Sequence, residues 1–462
     1  MTPTDDKPRS VVLAIILAGY LLILIDVSIL MAALPSVHRD LGLSATSLSW
    51  VQNAYTLAFG GLLLLGARVG DLLGRRRMFI AGIGLFTAAS LGVGLAQTET
   101  TMIAARAVQG VGAAALAPST LALLSTSFPE GQQRARAMAA YGALAGIGTA
   151  AGLIIGGVLT ETLSWRVGFF LNIPVGLAAM LAAPRFLPET ARHPGRPDLA
   201  GAFSSTVGVS ALVFGIVHSA DTGWSDPITL VAAGVGLVLV AVFLVNQARV
   251  PEPLLPLRLF ASRPRAGAYA ARFLFNGTLL SFFFFMTQYL QGVSGYTPLE
   301  AGLAFLPVTA AAFAAAAITS PLTNRCNNAT LAVAGCTAML LGTAWLSRVG
   351  TDTGFLTGIA IPMIVFGIGQ GLGLSSLTTA GMAGVEHQDA GVAGGLVNVA
   401  HHLGGAVGLA ILTTLFDAAG GGLAHQVSVA LTGAAVFMAL ALTVTLVTAR
   451  PAQSRIPAIT AT

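Results

Sequence analysis

Apolar residues run along this chain in unbroken stretches of about twenty, separated by short polar segments. Fourteen such stretches fall at roughly 11–34, 47–69, 78–97, 101–126, 137–160, 167–187, 200–219, 227–247, 267–291, 299–320, 330–348, 354–377, 391–416 and 427–449. A hydrocarbon core ~30 Å thick is crossed by about 20 apolar residues in a helix. The pattern therefore predicts fourteen membrane-spanning helices. The ten-residue alternation of a membrane β-barrel is absent.

Two polar connections are longer than the rest: 188–199, rich in Pro, Arg and His, and 248–266, with Pro251, Pro253, Pro256 and Pro264. They divide the chain into six spans over 11–187, a helix pair over 200–247, and six more spans over 267–449, with short polar ends at 1–10 and 450–462. The expected fold class is all-α integral membrane: two six-helix bundles plus an inserted helix pair. Two equal halves suit pseudo-symmetric bundles around a midplane site. Substitution of Asp198, in the first long connection, is expected to have a mild effect.

Composition agrees with lipid as the solvent. The 462 residues are 55% hydrophobic and 9% charged, with a mean hydropathy of +0.82. Soluble domains carry about 25% charged residues, and so few charges here cannot supply a polar shell. The net charge of +5 comes almost wholly from arginines in short loops, Lys7 being the sole lysine. Dispersed in this way, the charge makes no nucleic-acid face. Cys326 and Cys336 form no Cys-x-x-Cys pair, and neither a disulfide framework nor a metal site is expected. The first apolar run is too long for a signal-peptide core and is expected to stay as a span.

Orientation follows from the basic residues. An even number of spans puts both termini on one side. That side holds seventeen Lys and Arg residues; the other holds only Arg39, Arg166 and Arg348. Both termini are thus expected in the cytoplasm, and the protein in the cell inner (plasma) membrane. Trp50, Trp165, Trp224 and Trp345 all fall at the predicted outer ends of spans, where an amphipathic ring is favoured.

Against this oily background a few polar residues stand out. Asp26 lies in the first span, about eight residues or ~12 Å below its outer end at Leu34, and Arg106 about six residues or ~9 Å into the fourth. Ionisable groups inside a membrane are expensive and face partners or water-filled cavities. Their similar depth lets them pair, or share a wet network in which the acid titrates as access changes. The loop after the second span joins Asp71 to Arg75, Arg76 and Arg77 through Gly74. Asp71 is placed to bond a helix N-terminus or an Arg from another helix, a latch for one conformation. The fifth span carries Gly142, Gly146, Gly148, Gly152, Gly156 and Gly157, whose spacing of four lets helices approach closely. Other polar positions in the spans are candidates for a substrate cavity: Asn53, Tyr55, Gln109, Asn276, Gln288, Gln370, Asn398, His401 and His402. Phe282 to Phe285 cover more than half a helical turn, so some of them are expected to face lipid.

Taken together, these motifs resemble the major facilitator superfamily, and specifically its fourteen-helix drug:proton antiporter branch, over essentially the whole chain. Asp71, Gly74, Arg75 and Arg76 match the loop motif after the second helix. Arg106, Gln109, Gly110 and Gly112 match the fourth-helix motif linked to proton transfer, and Asp26 matches the acidic motif of the first helix. Gly148, Gly152, Gly156 and Gly157 match the antiporter motif of the fifth. Trp165-Arg166 with Phe170, Asn172 and Pro174 is similar as well, as is Tyr289-Leu290-Gln291. The resemblance implies proton-coupled export of amphipathic drugs, dyes or antibiotic-like metabolites by alternating access. It implies Asp26 and Arg106 as the coupling pair, the proton gradient as the energy source with no cofactor, and action as a monomer among membrane lipids. The chain departs from the pattern at Ala67, at Leu153 where a Pro is usual, around Asn324 and Arg325, and at His401 where many relatives have Arg. Its tenth span has no mid-membrane acid, with Glu300 only at its start, so divalent specificity is not expected.

The rivals are fewer. A same-fold importer or facilitator of a small metabolite stays open because of Leu153. A membrane enzyme lacks paired carboxylates, a Gly-x-Ser-x-Gly nucleophile or clustered metal ligands. ATP hydrolysis needs a Gly-Lys phosphate loop, and Lys7 stands in none. A channel would need a repeated filter, which the spans lack.

Overall fold

The computed structural model describes residues 9–129, 132–190, 198–251, 253–323, 325–385 and 390–448. Both chain ends, most of the 188–199 connection and Asn324 lie outside the described residues, so the expectations placed on them are not taken further.

Among the described residues the chain is helical, in the order expected from the apolar stretches. The first group is α1 (Arg9–Leu41), α2 (Ala45–Leu73), α3 (Arg75–Gly94), α4 (Glu99–Ser127), α5 (Gln132–Thr162), α6 (Trp165–Phe170) and α7 (Asn172–Phe186). Then come α8 (Leu199–Thr222) and α9 (Pro227–Gln247). The second group is α10 (Arg263–Gly292), α11 (Pro298–Ala304), α12 (Leu306–Leu322), α13 (Asn328–Leu346), a π-helical turn (Phe355–Ala360) running into α14 (Ile361–Met382), α15 (Ala390–Ala419) and α16 (Leu423–Thr448). Thirteen segments of the described residues are long and apolar enough to cross a membrane; α5, with 31 residues packed along α1, supplies the fourteenth.

Some spans are not single rods. The sixth is broken at Leu171 between α6 and α7, and the tenth at Phe305 between α11 and α12, where Pro307 opens the next helix. A proline in a first helical turn costs no hydrogen bond, because that turn's N–H groups have no intrahelical partner. Conversely α1 runs on past Leu34 through Pro35 to Leu41, longer than the apolar stretch predicts.

The two bundles meet in two places. At the end opposite the chain termini one apolar cluster joins them: Leu30, Met31 and Leu34 of α1 pack with Phe282 and Phe285 of α10 and with Phe305. Polar bonds reinforce it. Gln291 Nε2 donates to the Ala32 carbonyl at 2.9 Å, and the Leu299 amide to Glu161 Oε2 at 3.1 Å. The second meeting place is a seam of α2 against α15, from Thr46 bonded to Asp417, past Gly60 against His402, to Gly395 against Leu64. Toward the termini the core splits, one cluster lying in the first bundle around Phe79, Ile83 and Leu116, another in the second around Tyr269 and Leu396. The expectation that some of Phe282 to Phe285 face lipid is not met: Phe282, Phe284 and Phe285 are buried and Phe283 packs against the same cluster. The reason is that α10 is flanked by helices on all sides, including α1, α14, α15 and α16.

The inserted pair sits to one side. Val213 and Val217 of α8 fill the groove between Leu57 of α2 and Ala406 and Ala410 of α15. Behind it α9 is almost wholly exposed and apolar, with Leu230, Val238 and Val245 facing outward. Asp198 caps α8 through the Gly201 amide at 2.7 Å and accepts from Asn246 Nδ2 at 3.0 Å and Gln247 Nε2 at 2.6 Å, tying the start of α8 to the end of α9.

Candidate functional site

Asp26 and Arg106 pair directly, with Arg106 Nη1 2.5 Å from Asp26 Oδ2 and neither side chain exposed. The depth comparison survives the longer α1 because that helix simply overshoots its neighbours. Around the pair, four helices supply the partners: α2, α3, α4 and α7. Gln109, one turn beyond Arg106 on α4, donates through Nε2 to Asp26 Oδ1 at 2.6 Å and accepts from Arg106 Nη1 through Oε1 at 2.7 Å. These opposed bonds fix which end of the amide is which. Asn172, the first residue of α7, donates to the same Asp26 oxygen at 3.0 Å. Ser90 on α3 accepts from Gln109 at 2.8 Å and Asn172 at 3.3 Å, and donates to the Phe86 carbonyl at 2.9 Å. Arg106 Nε donates to the Val51 carbonyl of α2 at 3.1 Å, and its guanidinium carbon lies 4.4 Å from the centre of the Tyr55 ring. Helix packing sets the approach. Gly110 lies against the Tyr55 carbonyl, where an added Cβ would come within 2.4 Å, so α2 and α4 close to backbone contact.

Three donors thus converge on one buried carboxylate. Removing either member of such a pair strands a charge and costs about 3–5 kcal/mol. Arg106 Nη2 and the Tyr55 hydroxyl are buried without hydrogen-bond partners. Gln109, expected on the substrate cavity, instead belongs inside this network and is fully buried.

The other expected cavity residues scatter. Asn53 is buried on the α2 face that meets α15, both amide atoms unpartnered. Asn276 of α10 donates to the His401 carbonyl at 2.6 Å, Asn398 is exposed and bonds its own helix at Gly394, and Gln288 approaches the Phe284 carbonyl at 3.5 Å. His401 Nδ1 and Gln370 Oε1 have no partner, and the His402 ring lies 4.1 Å from that of Phe59.

In the loop after α2, Asp71 bonds Arg75 Nη2 at 2.5 Å. Arg75 opens α3, so the bond joins the end of α2 to an Arg at the start of the next helix, as expected. A second tie, from α3 to the end of α7, is made by Glu189, just beyond α7. Its Oε1 accepts from the Arg76 amide at 3.1 Å, and its Oε2 lies 3.6 Å from Arg76 Nε and 3.7 Å from Arg77 Nε. Thr190 accepts from the Arg75 amide at 3.0 Å. Gly74 turns with φ +104°, and a Cβ there would meet Glu189 Oε1 at 2.5 Å. Glu189 escaped the sequence reading, although an acid directly after an apolar span in a basic loop was the signal. Ser90 escaped too, one hydroxyl in an apolar run.

The α5 glycines make close contacts. A Cβ at Gly152 would come within 2.6 Å of Ser28 Cβ, one at Gly156 within 2.8 Å of Ile29 Cα, and one at Gly157 within 2.6 Å of the Pro298 carbonyl in the other bundle. At Gly148 a Cβ would lie 3.3 Å from the side-chain ends of Leu21 and Leu24, a milder approach to flexible atoms. Leu153, where a Pro was the usual residue, leaves α5 continuous, and its carbonyl lies against Gly302. Among the described residues no group of three or more His, Cys, Asp or Glu is placed to hold a metal ion.

Comparison with known proteins places this architecture. The pattern of the Major Facilitator Superfamily matches residues 16–409. The chain is 42% identical over 409 residues to a puromycin resistance protein of Streptomyces alboniger, covering 87% of this chain and 81% of that one. It is 38% identical over 448 residues to a cephamycin export protein of Amycolatopsis lactamdurans, covering 95% and 92%. In three dimensions it resembles the crystal structure of a nucleoside transporter, with a TM-score of 0.70 at 10% identity, covering 95% of this chain and 100% of the other. That last likeness is one of fold alone.

Proposed function

Because the chain belongs to the Major Facilitator Superfamily, a family of membrane transporters, we propose that it is a proton-coupled exporter of amphipathic drugs, dyes or antibiotic-like metabolites. The single observation that carries the coupling is the buried Asp26–Arg106 pair with its converging donors. Similarity to puromycin resistance and cephamycin export proteins supports the direction and the substrate class.

The basic residues put the termini-bearing end in the cytoplasm. The bundles then touch across the outer end, and toward the inner end they stay joined along the α2–α15 seam. A substrate enters from inside, and the bundles rock about the α2–α15 seam. A proton reaching Asp26 displaces one of its donors and leaves Arg106 without its counter-charge. The conformation held by that pair then gives way to the other. Each charge moved inward gains ~2.3 kcal/mol per 100 mV. The two ligands shift the equilibrium only through different affinities for the two states. The Asp71–Arg75 bond and Glu189 serve in this reading as the cytoplasmic latch, and the glycines of α5 as the surface on which the outer end closes. The membrane is the cell inner membrane and the monomer is the working unit.

The test is transport in proteoliposomes, with and without an imposed pH gradient, over a panel beginning with puromycin and a cephamycin. Substrate movement against its gradient only when protons run the other way is expected. Transport indifferent to the pH gradient for every compound would overturn the coupling. The unbroken α5 at Leu153 favours one second reading, a proton-coupled importer or facilitator of a small metabolite. Counterflow with substrate and protons moving in the same direction would establish it.

A further inference from the structure

Arg272 is a second buried arginine, and it has no acidic partner among the described residues. It lies on α10 roughly 14 Å from the start of that helix at Arg263, and is 6% exposed. Among the described residues no carboxylate lies within ion-pair distance of it. A guanidinium at such depth is costly unless paired. Its two hydrogen bonds are both made through Nη1, to the Leu374 carbonyl at 2.7 Å and to Thr378 Oγ1 at 3.1 Å on α14. Nε is buried with no partner. The side chain is therefore anchored by one nitrogen, with its Nε–Nη2 edge left over. That edge offers two parallel N–H groups, the geometry that grips a carboxylate with two bonds.

The surroundings fit the same ligand. Asn276, one turn along α10, bonds the His401 carbonyl, so this face of α10 packs on α15 at His401. His401 Nδ1 is buried with no partner. Thr378 and Asn398 are exposed. A guanidinium bonded to an exposed threonine borders water more cheaply than lipid. Resting on the export reading above, we propose that the free edge of Arg272, flanked by His401, binds a carboxylate carried by the transported molecule. The chain is thereby selective for amphipathic acids, and the substrate supplies a counter-charge that no described carboxylate provides.

Equilibrium binding tests this on the purified full-length chain in detergent, at fixed pH and without a gradient. The probes are 9-anthracenecarboxylate and its methyl ester, followed by fluorescence. Wild type is expected to bind the acid about tenfold or more tighter than the ester, as a charge-assisted bond pair requires. R272Q should abolish that preference by weakening the acid and leaving the ester unchanged. R272K should retain part of it, as a point charge without the planar fork. If R272Q does not fold, the wild-type ratio of acid to ester and its reduction in His401→Gln decide. Equal affinities, a tighter ester, no binding of the acid, or the same preference in R272Q would each overturn the assignment. No proton gradient enters this measurement, so its failure leaves the coupling role of Asp26 standing, and failure of gradient-driven transport leaves the binding result standing.

Discussion

Replacing Asp26 by Asn separates the structural and the proton-carrying roles of that side chain. The carboxylate accepts from Arg106, Gln109 and Asn172 at 2.5, 2.6 and 3.0 Å. Asparagine keeps the shape but offers one oxygen, and turns an N–H₂ toward groups that are themselves donors. It also leaves the fully buried Arg106 without a counter-charge, a loss of about 3–5 kcal/mol. The single variant should therefore unfold several degrees lower than wild type in detergent. Arg106→Gln alone strands the opposite charge and should cost a similar amount. Combined, the two changes remove both charges, and exchange of a whole buried pair is often close to neutral. The double variant should recover to within about 1–2 kcal/mol of wild type, giving a coupling energy of roughly 3 kcal/mol or more. Transport should not follow. In proteoliposomes neither D26N nor the double variant should move substrate in response to a pH gradient. Thermal unfolding of all four proteins with gradient-driven flux completes the cycle. A double variant less stable than both singles would refute the ion-pair argument, and wild-type gradient-driven flux in D26N would refute the proton-carrying one.

Other consequences are open to measurement. Glu189→Ala removes the acceptor at the first turn of α3 and the partner of Arg76; a loss of about 0.5–2 kcal/mol is expected, seen as a lower unfolding midpoint, with Glu189→Gln milder because it keeps an oxygen for the Arg76 amide. Gly157→Ala forces a methyl to within 2.6 Å of the Pro298 carbonyl and should prop the outer end open, raising the labelling of a cysteine placed at Ile154 by an impermeant maleimide from outside, whereas Gly148→Ala should leave it near wild type. Asp198→Ala breaks the clamp on Asn246 and Gln247; limited proteolysis between α8 and the first bundle should accelerate, with substrate affinity unchanged.

Much of this architecture was legible because the membrane imposes one rule on every span: about twenty apolar residues whose backbone groups bond internally. That rule locates the helices, and the cost of a buried charge then singles out Asp26 and Arg106. Breaks within a span obey a different logic. The interruptions at Leu171 and Phe305 leave hydropathy untouched, since both flanks stay apolar. Side-chain pairing is the other blind spot. Asp71 and Glu189 are equally acidic in sequence; Asp71 pairs with an Arg four residues on, whereas the tie of Glu189 to Arg76 depends on the packing of α3 against α7. Gln109 read as a cavity residue because its helix face is not fixed until Asp26 and Ser90 arrive from α1 and α3. Asp198 looked like loop filling until α9 returned beside α8 with two amide side chains.

The groove-filling position of α8 has a further implication for how oily solutes reach the interior. With Val213 and Val217 wedged along one edge of the α2–α15 junction, that edge is walled off from the bilayer like the spine of a bound book. The opposite margin, where α5 meets α11 and α12, has no such inserted helix. On the export reading, a molecule dissolved in the inner leaflet is expected to approach from that margin and not across α8.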